Sequence, residues 1–438
     1  MGEAGHGLAG TIALLAATLA ALIASAIGHE EGSTAGAGLD AEAADAAPGL
    51  DADALLELGE RRAPEVAARV ERLRELRFDE PPKPRIADAD DLQRIAEREL
   101  AKRRVRRDVR VSEIELELVQ LLGPGESLSD VLTDTTGLAA AYYDPARGRL
   151  FLVGDAVPAG PQVTEFVLAH ELTHALEDQA FGLPKAGGVS DDASLARTAL
   201  VEGSAQALMI DYAGAHLDPL ALAAEAGGVD AGTGDIPRFA IAQVQFAYSR
   251  GMDFVQALRA QSADDWRLVD FAYRERPPET TEQIIHPEKY FDGEGALPVE
   301  PPQPPDGRMV RLDGGNLGEF VTAQILSEQI GPFAGEAAAE GWGGDSYRLW
   351  RVECPAGEGP ACGTEALAVR WRWDDEAEAR EFGSALGDTV ARWPAATVVQ
   401  PGVWRTAQGC SAVAREGDAV GFAIARECDT ARAAAALG

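Results

Sequence analysis

The stretch Val163-Thr-Glu-Phe-Val-Leu-Ala-His170-Glu-Leu-Thr-His174-Ala-Leu-Glu-Asp-Gln-Ala180 decides how this chain is read. Val163, Val167, Leu168, Leu172 and Leu176 recur at helical spacing, so the stretch is expected to be a helix. On a helix, positions i and i+4 lie one turn apart on one face. His170 and His174 then present two imidazoles to one point, with Glu171 beside it. Two neutral nitrogen ligands and an adjacent carboxylate are what a zinc hydrolase needs. The competing reading is a buried helix whose histidines are satisfied by ordinary neighbours. It fits less well, because a largely buried helix rarely carries two His and a Glu without partners for them.

A third ligand has to come from elsewhere. No H-x-x-G-x-x-H continuation follows His174, where the chain reads Ala-Leu-Glu-Asp-Gln-Ala. Ser194 to Asp211 reads as a second helix, and Glu202 stands in its middle among Ala199, Leu200, Val201, Ala205, Leu208 and Met209. A lone carboxylate in apolar surroundings needs a cation or hydrogen-bond donors. Glu202 is therefore the expected third ligand, with a solvent-facing Glu as the alternative. Glu177 follows His174 too closely on the same helix to close a tetrahedral site.

These residues together resemble a gluzincin, a zinc metallopeptidase of the thermolysin-like clan. The wider pattern is similar to a group of exported, largely uncharacterised bacterial and archaeal metallopeptidases. Ala140-Ala-Tyr-Tyr-Asp-Pro145 and Gly148 to Val153 resemble that group's strand pair, His170 to Gln179 its metal helix, and Ala199 to Ala205 its ligand helix. Pro278 to Tyr290 and Gly341-Trp-Gly-Gly-Asp345 are similar to its later motifs, so the likeness spans roughly residues 65 to 350. The resemblance implies Zn2+ held by His170, His174 and Glu202, Glu171 as general base, and a polypeptide substrate. It departs at Gln206, where an Asp often follows the ligand Glu by four; Asp178 or Asp211 is expected to take over that supporting role.

The oxyanion of a peptidase needs a donor beyond the metal. His286 and Tyr290, from His-Pro-Glu-Lys-Tyr, are the candidates, with Tyr142 and Tyr143 behind them. The alternative for His286 is a surface residue of a proline-bounded loop. Gly148 to Val153 is expected to offer a strand edge to an extended peptide.

The 438 residues are enough for two or three domains, and 46% hydrophobic content supports real cores. A net charge of -33 argues against a nucleic-acid partner. Leu8 to Ile27 is apolar and reads as an export signal or a membrane anchor; Ala24-Ser-Ala26 matches a cleavage site. All four cysteines lie late, and pairing neighbours predicts Cys354–Cys362 and Cys410–Cys428 disulfides in an extracellular or periplasmic chain.

The expected architecture is α+β. Residues 1–27 form the leader and 28–53 a flexible acidic linker. Residues 54–310 form a mainly helical zincin-like domain with a small β-sheet, and 311–438 a small disulfide-containing α+β domain. Helices are expected over Ala54 to Leu76, Asp90 to Arg106, Glu113 to Leu122, Ile236 to Ser262 with a break near Gly251, and Gly318 to Ile330. Glu80-Pro-Pro-Lys-Pro84 is read as a breaker. Four functions compete: an exported zinc peptidase, a zinc amidase on a cell-wall or other non-protein amide, a catalytically inactive binding protein of this fold, and a surface protein with an accidental motif. The intact Glu171 counts against the third, since a site that only binds has no need of a base.

Overall fold

The computed structural model describes residues 51–437 other than 138, 155–159, 184–188, 227–235 and 355–360. The leader and all but the last three residues of the expected linker lie outside them. The α+β expectation holds. A helical N-terminal region carries a three-stranded sheet, and a C-terminal α+β domain carries seven antiparallel strands and two disulfides.

Helix α1 (Ala52–Arg74) begins where the Asp51 side chain accepts from the Ala54 amide at 2.8 Å. Its Leu55, Val66 and Val70 are buried, and it packs on the metal helix. The breaker at 80–84 leads into a short strand, β1 (Pro84–Ala87). Four residues opening on proline carry no alternation to read, and proline is tolerated at a strand's first position. β1 pairs in parallel with β3 (Arg149–Val153), and β2 (Ala141–Asp144) pairs antiparallel on the other side. Both edges of β3 are therefore filled, and the edge strands of the sheet are β1 and β2 rather than the expected Gly148 to Val153.

Two helices, α2 (Ala89–Leu100) and α3 (Arg103–Leu118), replace the expected pair and part at Ala101-Lys102. Tertiary packing sets that break: α2 lies on α4 (Leu128–Gly137), while α3 reaches the C-terminal sheet. The metal helix α5 (Pro161–Phe181) starts with proline, whose missing N–H costs nothing there. Glu225 of α7 (Pro219–Ala226) accepts from its Gln162 and Val163 amides at 2.8 and 2.9 Å. The ligand helix α6 (Asp191–His216) is capped by Ser190, which accepts from Ala193.

No break occurs at Gly251. Helix α8 (Arg238–Gln245), a π-helical turn (Phe246–Arg250) and α9 (Gly251–Gln261) run on continuously. The glycine serves packing. A Cβ on Gly203 would lie 2.1 Å from the Gly251 carbonyl carbon, and one on Gly251 2.1 Å from the Ala199 oxygen. Backbones of α6 and α9 thus touch beside Glu202, which explains the Glu-Gly pair. Helices α10 (Arg267–Arg274), α11 (Thr281–Ile285) and α12 (Pro287–Asp292) complete this region.

The C-terminal domain runs β4 (Met309–Asp313), α13 (Gly318–Ile330), α14 (Pro332–Ala339), β5 (Trp342–Val352), β6 (Glu365–Trp373), α15 (Glu376–Ala391), β7 (Thr397–Gln400), β8 (Val403–Thr406), β9 (Gly409–Glu416), β10 (Ala419–Ala425) and α16 (Cys428–Ala435). Its sheet order is β4-β5-β6-β10-β9-β8-β7. Trp342, Trp371, Trp373 and Phe382 fill its core. Cysteines pair as expected, Cys354 with Cys362 and Cys410 with Cys428. Two of the motifs quoted above meet at the junction with the helical region. Asp345 accepts from the Leu317 and Gly318 amides at 2.7 and 2.8 Å, and Asp192 from the Thr281 amide and hydroxyl at 2.8 and 2.6 Å. Gly318, at φ +77°, is required there: a Cβ would sit 1.9 Å from Asp192 Oδ1.

Candidate metal centre

His170 and His174 of α5 and Glu202 of α6 converge as their sequence positions predict. The two Nε2 atoms are 3.0 Å apart, and Glu202 Oε2 is 3.3 Å from each. Bonds of ~2.0–2.1 Å at tetrahedral angles set ligand atoms ~3.3 Å apart, so the triangle has the size a zinc ion requires. The donor set, two imidazoles and a carboxylate, suits the same ion. His170 is fully enclosed, and His174 and Glu171 are 6% and 3% exposed.

Burial opposes charge on His174, but the Glu202 carboxylate outweighs it and pushes the imidazole up to about 9. Partial burial opposes charge on Glu202 too, yet both histidines hold its carboxyl well below the usual range. A metal cation would compete with a proton for these three groups. Burial raises the Glu171 carboxyl, and the two histidines partly oppose that. The backbone N–H of Tyr143, on β2, donates to Glu171.

That bond follows from strand register. Val153 donates to Ala140 at 2.8 Å, so Tyr142 and Asp144 face β3 and the Ala141 and Tyr143 backbone groups face outward. The outer edge of β2 therefore lies along the Glu171 side of α5. Tyr248, in the π-helical turn, stacks on His170 with ring centroids 5.7 Å apart. Sequence reading missed Tyr248, because a π-turn leaves no periodic signal; such turns recur at functional sites.

The support around the triangle differs from expectation. Asp178 accepts from the Tyr143 hydroxyl and the Leu183 amide, each at 2.9 Å, and Asp211 pairs with Arg259 at 2.8 Å. Neither reaches a ligand histidine. Both Nδ1 atoms are buried without a hydrogen-bond partner among the described residues, as is the Gln206 amide. Packing, chiefly Tyr248, holds the rings instead of the usual Nδ1 hydrogen bond. Beneath them Glu177 is fully buried and accepts from Arg74 Nε at 2.7 Å, Ser204 at 2.5 Å and Tyr273 at 2.7 Å. Glu177 is thus a clamp between α1, α5, α6 and α10. Its Arg74 partner, 103 positions away, gave no sequence signal.

The two oxyanion candidates are not brought to the triangle. The Tyr290 hydroxyl donates to the Arg276 carbonyl at 2.7 Å, and the ring is buried under the Arg276 guanidinium. His286 Nε2 meets Glu319 at 3.0 Å on the wall of a cleft of about 980 Å³ between the α8–α9 run and α13–α14, which no residue of the triangle lines. A second acidic group, Glu282, Glu294 and Asp374, also has ligand-like spacing. The Lys289 ammonium lies 2.5, 2.9 and 2.8 Å from these carboxylates, so the chain supplies its own cation there.

Residues 308–435 match the family described as Domain of unknown function (DUF8575). The match covers the seven-stranded domain and none of the metal-centre residues. No curated protein and no solved structure matches the chain.

Proposed function

We propose that the chain is a zinc-dependent endopeptidase of the gluzincin type, acting outside the cytoplasm. The observation that carries this reading is the 3.0, 3.3 and 3.3 Å triangle of His170, His174 and Glu202 with Glu171 next to it. A zinc ion held there would supply Lewis acidity, activating water and polarising a carbonyl. Glu171, raised by burial toward the working range of a general base, takes a proton on its carboxylate and returns it to the leaving nitrogen. Tyr143 N–H fixes that carboxylate, and the outward Ala141 groups and Tyr143 carbonyl of β2 can pair with an extended polypeptide. Two disulfides support an oxidising compartment. No helix among the described residues is long and apolar enough to cross a membrane.

Zinc content and peptide cleavage test the proposal together. Glu171→Gln should keep one zinc per chain and lose cleavage by about a thousandfold. A parent protein that carries zinc but cleaves no peptide in a mixed library, or a variant as active as the parent, would overturn it.

A further inference from the structure

Arg103, Arg106, Arg107 and Arg110 of α3 stand at i, i+3, i+4 and i+7, one face of a helix. All four are exposed and line one hollow of about 540 Å³ with Val109, Glu113 and Ser129. They belong to a run, Lys102 to Arg110, that holds six of the chain's 39 basic residues, in a molecule of net charge -33. Of Arg103, Arg106, Arg107 and Arg110, only Arg110 has an acidic partner among the described residues, Glu113. Glu113 is also committed to the α4 start, accepting from the Leu128 amide at 3.0 Å. The side chains of Arg103, Arg106 and Arg107 make no ion pair or hydrogen bond among the described residues. Asp108 projects from another face of the helix.

This arrangement works against the helix that bears it. Like charges at i+3 and i+4 repel by about 0.2–0.5 kcal/mol per pair. Cations in a first turn oppose the helix dipole, and α3 has no acidic residue there and no side-chain cap at Lys102. The neighbours follow the rule: α1 has Asp53 in its first turn and Arg72 and Arg74 in its last, and α2 has Asp90 and Asp91 first and Arg98 last. Folding gains nothing from the inverted order in α3.

We propose that the α3 stripe is a binding site for a compact, multiply charged phosphate ligand. Guanidinium forks suit phosphate oxygens in bidentate geometry. The stripe runs ~10 Å along the helix, the reach of a few linked phosphate groups. A hollow rather than a flat face favours a small ligand. So does the acidic remainder of the molecule: an extended anionic surface or polymer would lie against it outside the ~10 Å over which the stripe's own charge acts. The site is independent of the metal centre and of the activity proposed for it.

Titration calorimetry of the full chain with inorganic tripolyphosphate at about 50 mM salt tests this. The expected result is saturable binding below about 1 mM that weakens steeply with salt, and a loss of about tenfold or more in an Arg103→Gln, Arg106→Gln, Arg107→Gln variant. Chelation of bound metal would be equal in the two proteins, so their difference is the readout. Without ligand, the variant should melt at or above the parent's temperature, because the repulsion is relieved. Equal binding by both proteins, or a clear fall in the variant's melting temperature, would overturn the proposal. So would sedimentation of the parent with phosphatidylglycerol vesicles in the absence of tripolyphosphate binding, which would assign the stripe to a membrane surface.

Discussion

Among the described residues, ligand-type side chains converge three at a time at two places, and the two differ in whether the chain itself supplies a cation. Around Glu282 the chain fills the gap itself: Lys289 reaches Glu282, Glu294 and Asp374. Around Glu202 the partners are two imidazoles, which can be neutral, and no lysine or arginine among the described residues pairs with it. Spacing alone does not separate the two. What separates them is whether the protein has already supplied the cation. An ammonium on a flexible stem makes a clamp, whereas two imidazole nitrogens held one turn apart on a buried helix leave a positive charge to be provided.

The largest expected effect breaks the first member of this pair. His174→Ala should weaken zinc binding by about a thousandfold or more while the fold survives, read by metal analysis after dialysis and by circular dichroism. Zinc retained at parent stoichiometry would mean that the triangle is not the binding site. Next comes Gly251→Ala. Its Cβ would meet the Ala199 carbonyl, which is backbone and cannot swing aside. Separating α6 from α9 should cost about 3 kcal/mol in urea unfolding and displace Tyr248 from His170. A loss under about 0.5 kcal/mol would show that the helices have room.

The same variant type on the other member should behave differently. Lys289→Ala removes a cation from Glu282, which is 2% exposed, and leaves a buried carboxylate unpaired. A loss of about 2 kcal/mol is expected, with zinc stoichiometry unchanged. Added calcium should restore part of the loss in the variant and nothing in the parent, because only the variant has three carboxylates without a cation. If calcium stabilises both equally, the contrast between clamp and metal centre fails.

How much of this was legible depends on how local each signal is. His170 and His174 are four residues apart, so the helix period alone brings them together. Glu202 is remote, but a single acid in an apolar run marks its own need for a partner. The cysteine pairs are close in sequence and each closes a short excursion. Gly318 to Ile330 was readable as a helix to the residue. What escaped reading was long-range. β1 is four residues beginning with proline, and only its pairing with β3 makes it a strand. That pairing also makes β3 the central strand and leaves β1 and β2 at the edges. Arg74 meets Glu177 across 103 positions, and neither residue announces the other. His286 and Tyr290 sit in a proline-bounded segment, as read. The direction in which that segment points was not contained in it: Tyr290 turns to a backbone carbonyl and His286 to Glu319.

Asp192 shows a third solution to a buried carboxylate, and its test is the smallest in effect. It lies at the start of α6, the helix that ends in neither clamp nor metal at this point but carries Glu202 further along. One oxygen accepts twice from Thr281, while Oδ2 is buried with no donor. Burial, reinforced by the nearby Glu319 and partly offset by Thr281, pushes its carboxyl up to about 7. Here the charge is removed by a proton rather than met by a cation. In the unfolded chain the same group titrates near ~3.9, so between about pH 4 and pH 7 the folded state holds the extra proton. Its contribution is therefore complete below pH ~4 and is lost as pH rises through about 7. Asp192→Asn cannot titrate and should flatten that part of the profile. Relative to the variant, the parent should lose roughly 1 kcal/mol of unfolding free energy between about pH 6 and pH 7. Parallel profiles for the two proteins would show that Asp192 is ionised in the fold, and that a donor to Oδ2, rather than a proton on it, solves its burial.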